Sequence, residues 1–132
     1  MKYNKTIIYL FIVLFFSSCL FDGGSKREVV GSYYLHRWEG GSPFYIVDGW
    51  GEPDGGGLIE GSVQRIGWNR DYIFAKRKST FGGDTGWMII DVSENEIMGP
   101  FTDEEFESKQ KEIVGEQKIK KYSPDEAWEM LK

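Results

Sequence analysis

GWMIIDVSENEIMGPFTDEEF, residues 86–106, decides the fold of this chain because it contains the change from strand to helix. The run WMIIDV is rich in β-branched and apolar residues, and IMGPF is a second apolar run after the polar turn SENE. Two such runs around a short polar turn are typical of a β-hairpin. The remaining letters, TDEEF, have the pattern of a helix start, so we predict a strand-to-helix boundary next to Phe101.

The predicted helix begins after Thr102, whose hydroxyl is a helix N-cap, and Glu105 is the partner that completes a capping box. Phe101 and Phe106 occupy the two positions of a hydrophobic staple around this cap. Gly115 is the expected end of the helix, since glycine adopts the left-handed conformation of a C-cap without strain.

A second, shorter helix is predicted in YSPDEAWEMLK. Ser123 is its expected N-cap, and Pro124 suits the first helical position because its fixed φ matches a helix. Ala127, Trp128 and Leu131 form an apolar stripe. We expect the stripe to dock on a sheet, because a helix of this length is not stable alone.

Strands are predicted before residue 86 as well. The strand-like segments, which are rich in β-branched and aromatic residues, are EVVGSYYLHRW, SPFYIVDGW, LIEGSVQRIGW and DYIFAKRK. The turn Asn69-Arg70 joins the last two, and the glycine-rich stretches 48–57 and 81–86 are loops. The predicted fold class is therefore α+β, with a small antiparallel β-sheet or partial barrel of five to six strands followed by two C-terminal helices.

The first nineteen residues have a different pattern. Two lysines precede the uncharged apolar run TIIYLFIVLFF, residues 6–16, and Ser17, Ser18 and Cys19 follow it. A basic start, an apolar stretch of about 7–15 residues and small residues after it are typical of a signal peptide. A transmembrane helix needs about 20 apolar residues, so this run is too short to span a bilayer.

The segment FSSC, which ends at Cys19, resembles the lipobox of bacterial lipoproteins, although Phe16 stands where leucine is commonest. The resemblance implies cleavage before Cys19, a diacylglyceryl group on its sulfur and an acylated amino terminus. Two or more acyl chains give stable anchoring, at about 0.8 kcal/mol per buried CH₂. We therefore predict a signal peptide at 1–18, a lipidated tether at 19–27 and one extracytoplasmic domain at 28–132. A free cysteine in an ordinary signal or anchor is the alternative.

Cleavage before Cys19 would leave 114 of the 132 residues and, by removing Lys2 and Lys5, would lower the formal net charge from −5 to −7. An acidic chain argues against nucleic acid or an anionic membrane surface as a partner. The basic cluster KIKK, residues 118–121, is followed by acids and is interpreted as a solvated segment. With a single cysteine, the domain is expected to fold without a disulfide.

Common catalytic and metal sites find no support in the sequence. His36 is the sole histidine and lies in a predicted strand, and one histidine cannot complete a zinc site. Nucleotide-binding glycine motifs are also absent. From these observations together we predict no catalytic residue, no metal and no cofactor. The loop at 48–57 fails as an EF-hand because Trp50 and Pro53 occupy ligand and glycine positions. A solvated turn is favoured there, and an irregular calcium loop stays open.

A second resemblance covers residues 58–114. The stretches IGWNRDYIFAKR and GWMIIDVSENEIMGPFTDEEFESKQKEI are similar to a family of small bacterial lipoproteins known only as a domain of unknown function. The resemblance implies a similar fold and location, at the outer face of the cell membrane or at the outer membrane. It implies no activity.

Three tryptophans next to predicted turns, Trp50, Trp68 and Trp87, are the candidate binding surface for a glycan, a peptide or an envelope protein. Burial in the core is the alternative for all three. The expected function is a lipid-anchored, non-catalytic binding domain of the cell envelope. Two other functions stay open, an immunity or inhibitor type of protein and a small envelope hydrolase. The candidate carboxylates of the hydrolase are Asp48, Asp54, Asp84 and Asp91.

Overall fold

A computed structural model describes residues 24–38, 43–49, 59, 61–79 and 85–131 of the chain. These residues form seven strands and two helices. The strands are β1 (Gly24–Val30), β2 (Tyr33–Trp38), β3 (Phe44–Asp48), β4 (Ser62–Trp68), β5 (Tyr72–Lys78), β6 (Gly86–Asp91) and β7 (Glu96–Phe101). The helices are α1 (Asp103–Val114) and α2 (Pro124–Met130).

The strands form two antiparallel sheets rather than the single sheet of five to six strands that we predicted. The N-terminal sheet has the order β1-β2-β3, and the C-terminal sheet has the order β4-β5-β6-β7. Each strand pairs with its neighbour in the chain, so both sheets are simple meanders. Neither sheet closes into a barrel among the described residues.

The strand count differs from the prediction because EVVGSYYLHRW is a hairpin and not one strand. Gly31 has φ +60° and, with Ser32, turns the chain between β1 and β2. The first strand also begins at Gly24, so residues 24–27, which we expected in the tether, are part of β1. The described part of the chain therefore starts five residues after Cys19.

The main core lies between the two sheets. Leu35 and Ile46 of the N-terminal sheet face Ile66 and Ile73 of the C-terminal sheet, and all four side chains are fully buried. Trp128 of α2 joins the same cluster. Burial of each of these side chains contributes about 1.5–3 kcal/mol, so this apolar cluster is the main force that holds the sheets together.

A second, smaller cluster lies on the other face of the C-terminal sheet. Phe74, Trp87 and Ile89 pack there against Phe106 of α1. Successive residues of a strand point to opposite faces, which is why Phe74 and its neighbour Ile73 belong to different clusters. The layers therefore follow the order N-terminal sheet, C-terminal sheet, α1.

The predicted signals at both helix starts are confirmed. Thr102 Oγ1 accepts a hydrogen bond of 3.2 Å from the Glu105 N–H, and Glu105 Oε1 accepts one of 3.3 Å from the Thr102 N–H. Ser123 caps α2, since its Oγ accepts a hydrogen bond of 3.3 Å from the Glu126 N–H, and Gly115 ends α1 with φ +63°. Within the described part of the chain, neither helix has the length and apolar character that crossing a membrane requires.

Candidate functional site

A groove of about 560 Å³ lies where α1 and the segment before α2 meet the outer face of the C-terminal sheet. We call it the α1 groove. The residues that line it are Arg65, Lys76, Trp87, Asp103, Phe106, Glu107, Gln110 and Lys121.

The floor of the α1 groove is a row of side chains from three adjacent strands. Arg65 of β4 pairs with Lys76 of β5, and Lys76 pairs with Trp87 of β6. Residues paired across strands point to the same face of a sheet and lie side by side. The register of β4 shifts between Val63 and Arg65, which marks a β-bulge. Regular pairing with β5 resumes at Arg65, opposite Lys76.

Trp87 joins this floor to the helix. Its ring stacks on the Phe106 ring with a centroid separation of 4.1 Å and an interplanar angle of 7°. Its Nε1–H donates a hydrogen bond of 2.8 Å to Asp103 Oδ1. The same oxygen lies 3.2 Å from Lys76 Nζ. The indole hydrogen bond, followed by the lysine, lowers the pKa of the Asp103 carboxyl.

Lys121 forms the opposite wall, and its ammonium group is partly buried. Nζ donates a hydrogen bond of 2.8 Å to the carbonyl oxygen of Ile119 and another to Gln110 Oε1. It also lies 5.5 Å and 5.3 Å from the ring centroids of Phe74 and Phe106. Burial lowers the pKa of Lys121, because a low-polarity site disfavours the charged form.

The charge of Lys121 has no acidic partner among the described residues. The salt bridges found within 4.0 Å in that part of the chain join Lys76 to Asp103 and Lys109 to Glu112. Both hydrogen-bond acceptors of the Lys121 ammonium are neutral oxygens. Within the described part of the chain, the positive charge is therefore held by dipoles and aromatic faces.

Gly67 allows the chain to bring Lys121 into this position. The Ile66 N–H donates to the Tyr122 carbonyl oxygen at 2.9 Å, and the Tyr122 N–H donates to the Ile66 carbonyl oxygen at 2.8 Å. This two-bond bridge lays the segment before α2 along β4. A Cβ atom at Gly67 would lie 2.5 Å from the carbonyl oxygen of Lys120, so a side chain there has no room.

The α1 groove has a positive balance on an acidic chain. Three of its lining residues are cations and two are carboxylates, whereas the whole chain has a formal net charge of −5. Lys76 and Asp103 form an ion pair with each other. The remaining charges of the lining are the positive charges of Arg65 and Lys121 and the negative charge of Glu107. The groove is therefore suited to an anionic group.

The structure places two of the three predicted tryptophans, Trp68 and Trp87, on opposite faces of the C-terminal sheet. Trp68 packs against Tyr122 with a centroid separation of 5.8 Å and borders the core between the sheets. Trp87 lies on the opposite face of the same sheet, in the cluster with Phe106. The third residue, Trp50, lies outside the described residues, as do Cys19, Asp54 and Asp84.

The described carboxylates of the hydrolase hypothesis lie at strand ends, where each accepts hydrogen bonds. Asp48 Oδ1 accepts a hydrogen bond of 2.8 Å from Ser32 Oγ. Asp91 Oδ1 accepts one of 2.9 Å from Ser93 Oγ and one of 3.1 Å from the Glu94 N–H. Neither carboxylate lines the α1 groove. No group of three or more histidine, cysteine, aspartate or glutamate residues in the described ranges has metal-site geometry.

His36 is a strand residue, as predicted, and its side chain is buried. Its side chain is 5% exposed, and its ring lies 5.5 Å from that of Trp38 in an edge-to-face contact. Its Nδ1 atom has no hydrogen-bond partner among the described residues. Burial, with a smaller effect from Lys26, lowers the pKa of the imidazole.

Sequence reasoning missed the cationic residues of the groove. The cluster KIKK, which includes Lys121, was interpreted as a solvated segment because acidic residues follow it, and the aromatic residues that Lys121 contacts are far away in the sequence. Lys76 and Arg65 gave no signal, since their alignment depends on strand register. The nearest sequence signal was Gly67 inside an apolar strand, because a glycine there indicates a close backbone approach.

A family model described as "Protein of unknown function (DUF3997)" matches residues 30–122 of the chain. The chain belongs to this family. The matched range includes every residue that lines the α1 groove, from Arg65 to Lys121. The predicted resemblance to a family of unknown function is thereby confirmed, and the family description gives no activity. No curated protein and no solved structure matches the chain.

Proposed function

We propose that the protein is a lipid-anchored, extracytoplasmic binding domain that holds a carboxylate of a cell-envelope protein in the α1 groove. The observation that carries the proposal is the ammonium group of Lys121, which is partly buried and has only neutral acceptors among the described residues. A buried charge without an opposite charge is costly. An incoming carboxylate supplies that charge.

The donor count of Lys121 supports the same ligand class. A lysine ammonium has three N–H donors, and Ile119 and Gln110 accept two of them. One donor is left for a ligand. A hydrogen bond from an ammonium to a carboxylate is roughly twice as strong as one between neutral groups, so this single contact has a large effect on affinity.

The aromatic residues of the groove favour a protein ligand over a sugar ring. Trp87 is 9% exposed, and its ring face is already stacked on Phe106. A sugar that binds by stacking needs a free aromatic face, whereas a carboxylate needs only the cations. Asp103 and Glu107 in the lining would repel a doubly charged phosphate more strongly than a singly charged carboxylate.

The two carboxylates of the groove favour binding over hydrolysis. Asp103 and Glu107 are four residues apart on α1, so they project from one side of the groove rather than face each other. A glycosidase places its two carboxylates on either side of the scissile bond and raises the pKa of the acid. The pKa of Asp103 is lowered instead. We therefore propose a domain without catalytic activity.

Anchoring through Cys19 is the second part of the proposal. It is supported by the basic start, the apolar run at 6–16 and the lipobox-like segment FSSC. Cys19→Ala should release the protein from the membrane fraction and abolish labelling by radioactive palmitate. Retention of the variant in the membrane together with an unlabelled wild type would contradict this part.

Binding is tested with the intact, C-terminally tagged protein extracted from membranes in mild detergent after cross-linking. Lys121→Gln removes the charge and keeps a polar side chain, and Lys118→Gln is the control because residue 118 is exposed and does not line the groove. We expect one envelope protein to be captured by the wild type and the control and lost by Lys121→Gln. Equal capture by all three forms would contradict the proposed site.

A further inference from the structure

The first strand places one end of the N-terminal sheet next to the proposed lipid anchor. Gly24, the first residue of β1, lies five residues after Cys19, and five residues of fully extended chain span at most about 18 Å. Gly24 pairs with Trp38, the last residue of β2. Adjacent strands lie about 5 Å apart, so Trp38 cannot be far from the lipid when the protein is anchored.

Trp38 is one of the few large apolar side chains that the described residues leave exposed. It is 37% exposed and makes an edge-to-face contact with Tyr45 of β3, with ring centroids 6.3 Å apart. Tryptophan and tyrosine are enriched where a bilayer meets water, because their rings are apolar at one end and polar at the other. We call this pair the interfacial pair.

Helix α2 packs near the same end of the sheet through Trp128. Trp128 lies 6.0 Å from the Phe44 ring and 4.7 Å from the guanidinium carbon of Arg37, the neighbour of Trp38. Met130, two residues later in the helix, is 51% exposed. Scattered apolar residues are ordinary on a protein surface. Trp38 differs from such scattered residues because it lies at the strand end closest to the anchor.

We propose that the interfacial pair, Trp38 and Tyr45, inserts at the headgroup boundary of the bilayer that holds the Cys19 lipid. The inference rests on the proposed lipidation of Cys19. The pair orients the domain as well as holding it, because a lipid attached at a single point limits distance and not direction. The α1 groove lies on the face of the C-terminal sheet that does not contact the N-terminal sheet, so it stays open to a partner.

Ile97 provides a matched control, since it is 38% exposed, almost the same as Trp38. It lies near the other end of β2, where Tyr33 Oη donates a hydrogen bond of 2.8 Å to Asn95 Oδ1. The two ends of β2 are separated by about 17 Å at the rise of an extended strand. Trp38 and Ile97 are almost equally exposed but lie at different distances from the anchor. A difference between their labels would therefore reflect membrane contact and not solvent exposure.

The test uses the mature lipoprotein in phosphatidylcholine vesicles, with a nitroxide spin label on Trp38→Cys or on Ile97→Cys. A lipidated Cys19 has no free thiol, so each variant has one labelling site. Tyr45→Cys is a third variant, in which Trp38 is retained. We expect labels at 38 and 45 to be accessible to oxygen dissolved in the bilayer and protected from an aqueous nickel complex. The label at 97 should show the opposite behaviour.

Each outcome has a separate meaning. In one outcome the protein binds the vesicles, but the labels at 38 and 45 are as accessible to the nickel complex as the label at 97. This outcome would overturn the proposed membrane insertion of the interfacial pair and leave the proposed anchor intact. In the other outcome the protein does not float with vesicles, and each cysteine variant takes up two labels per chain. The second label would show that Cys19 is unmodified. That result would overturn the anchor and, with it, this inference.

Discussion

Nζ of Lys121 lies 5.3 Å from the centroid of the Phe106 ring, and the same ring stacks on Trp87 at 4.1 Å. A cation near an aromatic ring is attracted by the negative charge density of the ring face, with about 0.5–2 kcal/mol depending on solvent exposure. The stack therefore holds an ammonium group at the wall of a groove without neutralising it. The proposed binding function depends on this arrangement.

The pKa of Lys121 should lie below the ordinary lysine value of 10.5, because burial disfavours the ammonium form. In the pH range just below 10.5 the unfolded chain then binds more protons than the folded chain, so the free energy of unfolding rises with pH there. NMR of reductively methylated protein measures the titration, and Lys121→Gln identifies the signal by its loss. A Lys121 titration at or above 10.5 would show that the group is solvated.

Gly67→Ala should destabilise the protein by about 1–3 kcal/mol, the usual range for forcing extra atoms into a packed site. The new Cβ would lie 2.5 Å from the carbonyl oxygen of Lys120, and a backbone atom cannot move away as a flexible side chain can. Urea unfolding gives the free energy, and the Lys121 NMR signals should shift as the segment moves. Gln64→Ala, at an exposed position of β4, is the control. Equal stability of the two variants would mean that the segment does not lie on β4.

Trp87→Phe should raise the pKa of Asp103 toward its ordinary value of 3.8, because the indole hydrogen bond is the largest cause of its depression. A carboxyl with a depressed pKa stabilises the fold above its unfolded pKa, and the effect is lost as the pH falls through the folded pKa. The variant should therefore lose less stability than the wild type on acidification below about pH 4. Carboxyl NMR gives the pKa, and an unchanged Asp103 titration would show that the hydrogen bond is absent in solution.

Stability should fall as the pH drops below about 6.5, because the folded state lowers the pKa of His36. Between the folded and unfolded pKa values the unfolded chain binds the additional proton, so acid favours unfolding. As the sole histidine, His36 gives a single imidazole titration by NMR. Urea unfolding from pH 7.5 to 5 should show the loss in the wild type and a flatter profile in His36→Gln. Identical profiles would contradict a buried imidazole.

The parts of the fold that were predictable depend on residues close together in the sequence. The capping box of Thr102 and Glu105 involves two residues three positions apart, so the letters alone were sufficient. The Asn69 turn is equally local, since Asn69 Oδ1 accepts hydrogen bonds from the N–H groups of Asp71 and Tyr72. Such contacts do not depend on how the sheets assemble.

The missed parts depend on long-range pairing. The apolar run 28–38 looked like one strand, because the turn at Gly31 is embedded between β-branched and aromatic residues. The packing of strand faces decides whether β1–β3 join the other four strands or form a sheet of their own. A short sequence pattern does not predict that packing. The row Arg65, Lys76 and Trp87 likewise exists only through the register of three strands.

Titration of the ¹⁵N-labelled mature protein with the acidic peptide acetyl-Glu-Glu-Glu-amide tests the central claim most directly. The neutral peptide acetyl-Gln-Gln-Gln-amide is the ligand control, and inorganic phosphate is a comparison ligand. We predict saturable shifts at Gln110 and Lys121 with the acidic peptide only, a rise in the pKa of Lys121 on binding, and loss of both effects in Lys121→Gln. Shifts that are equal for both peptides, fail to saturate, or persist in Lys121→Gln would contradict a carboxylate site in the α1 groove.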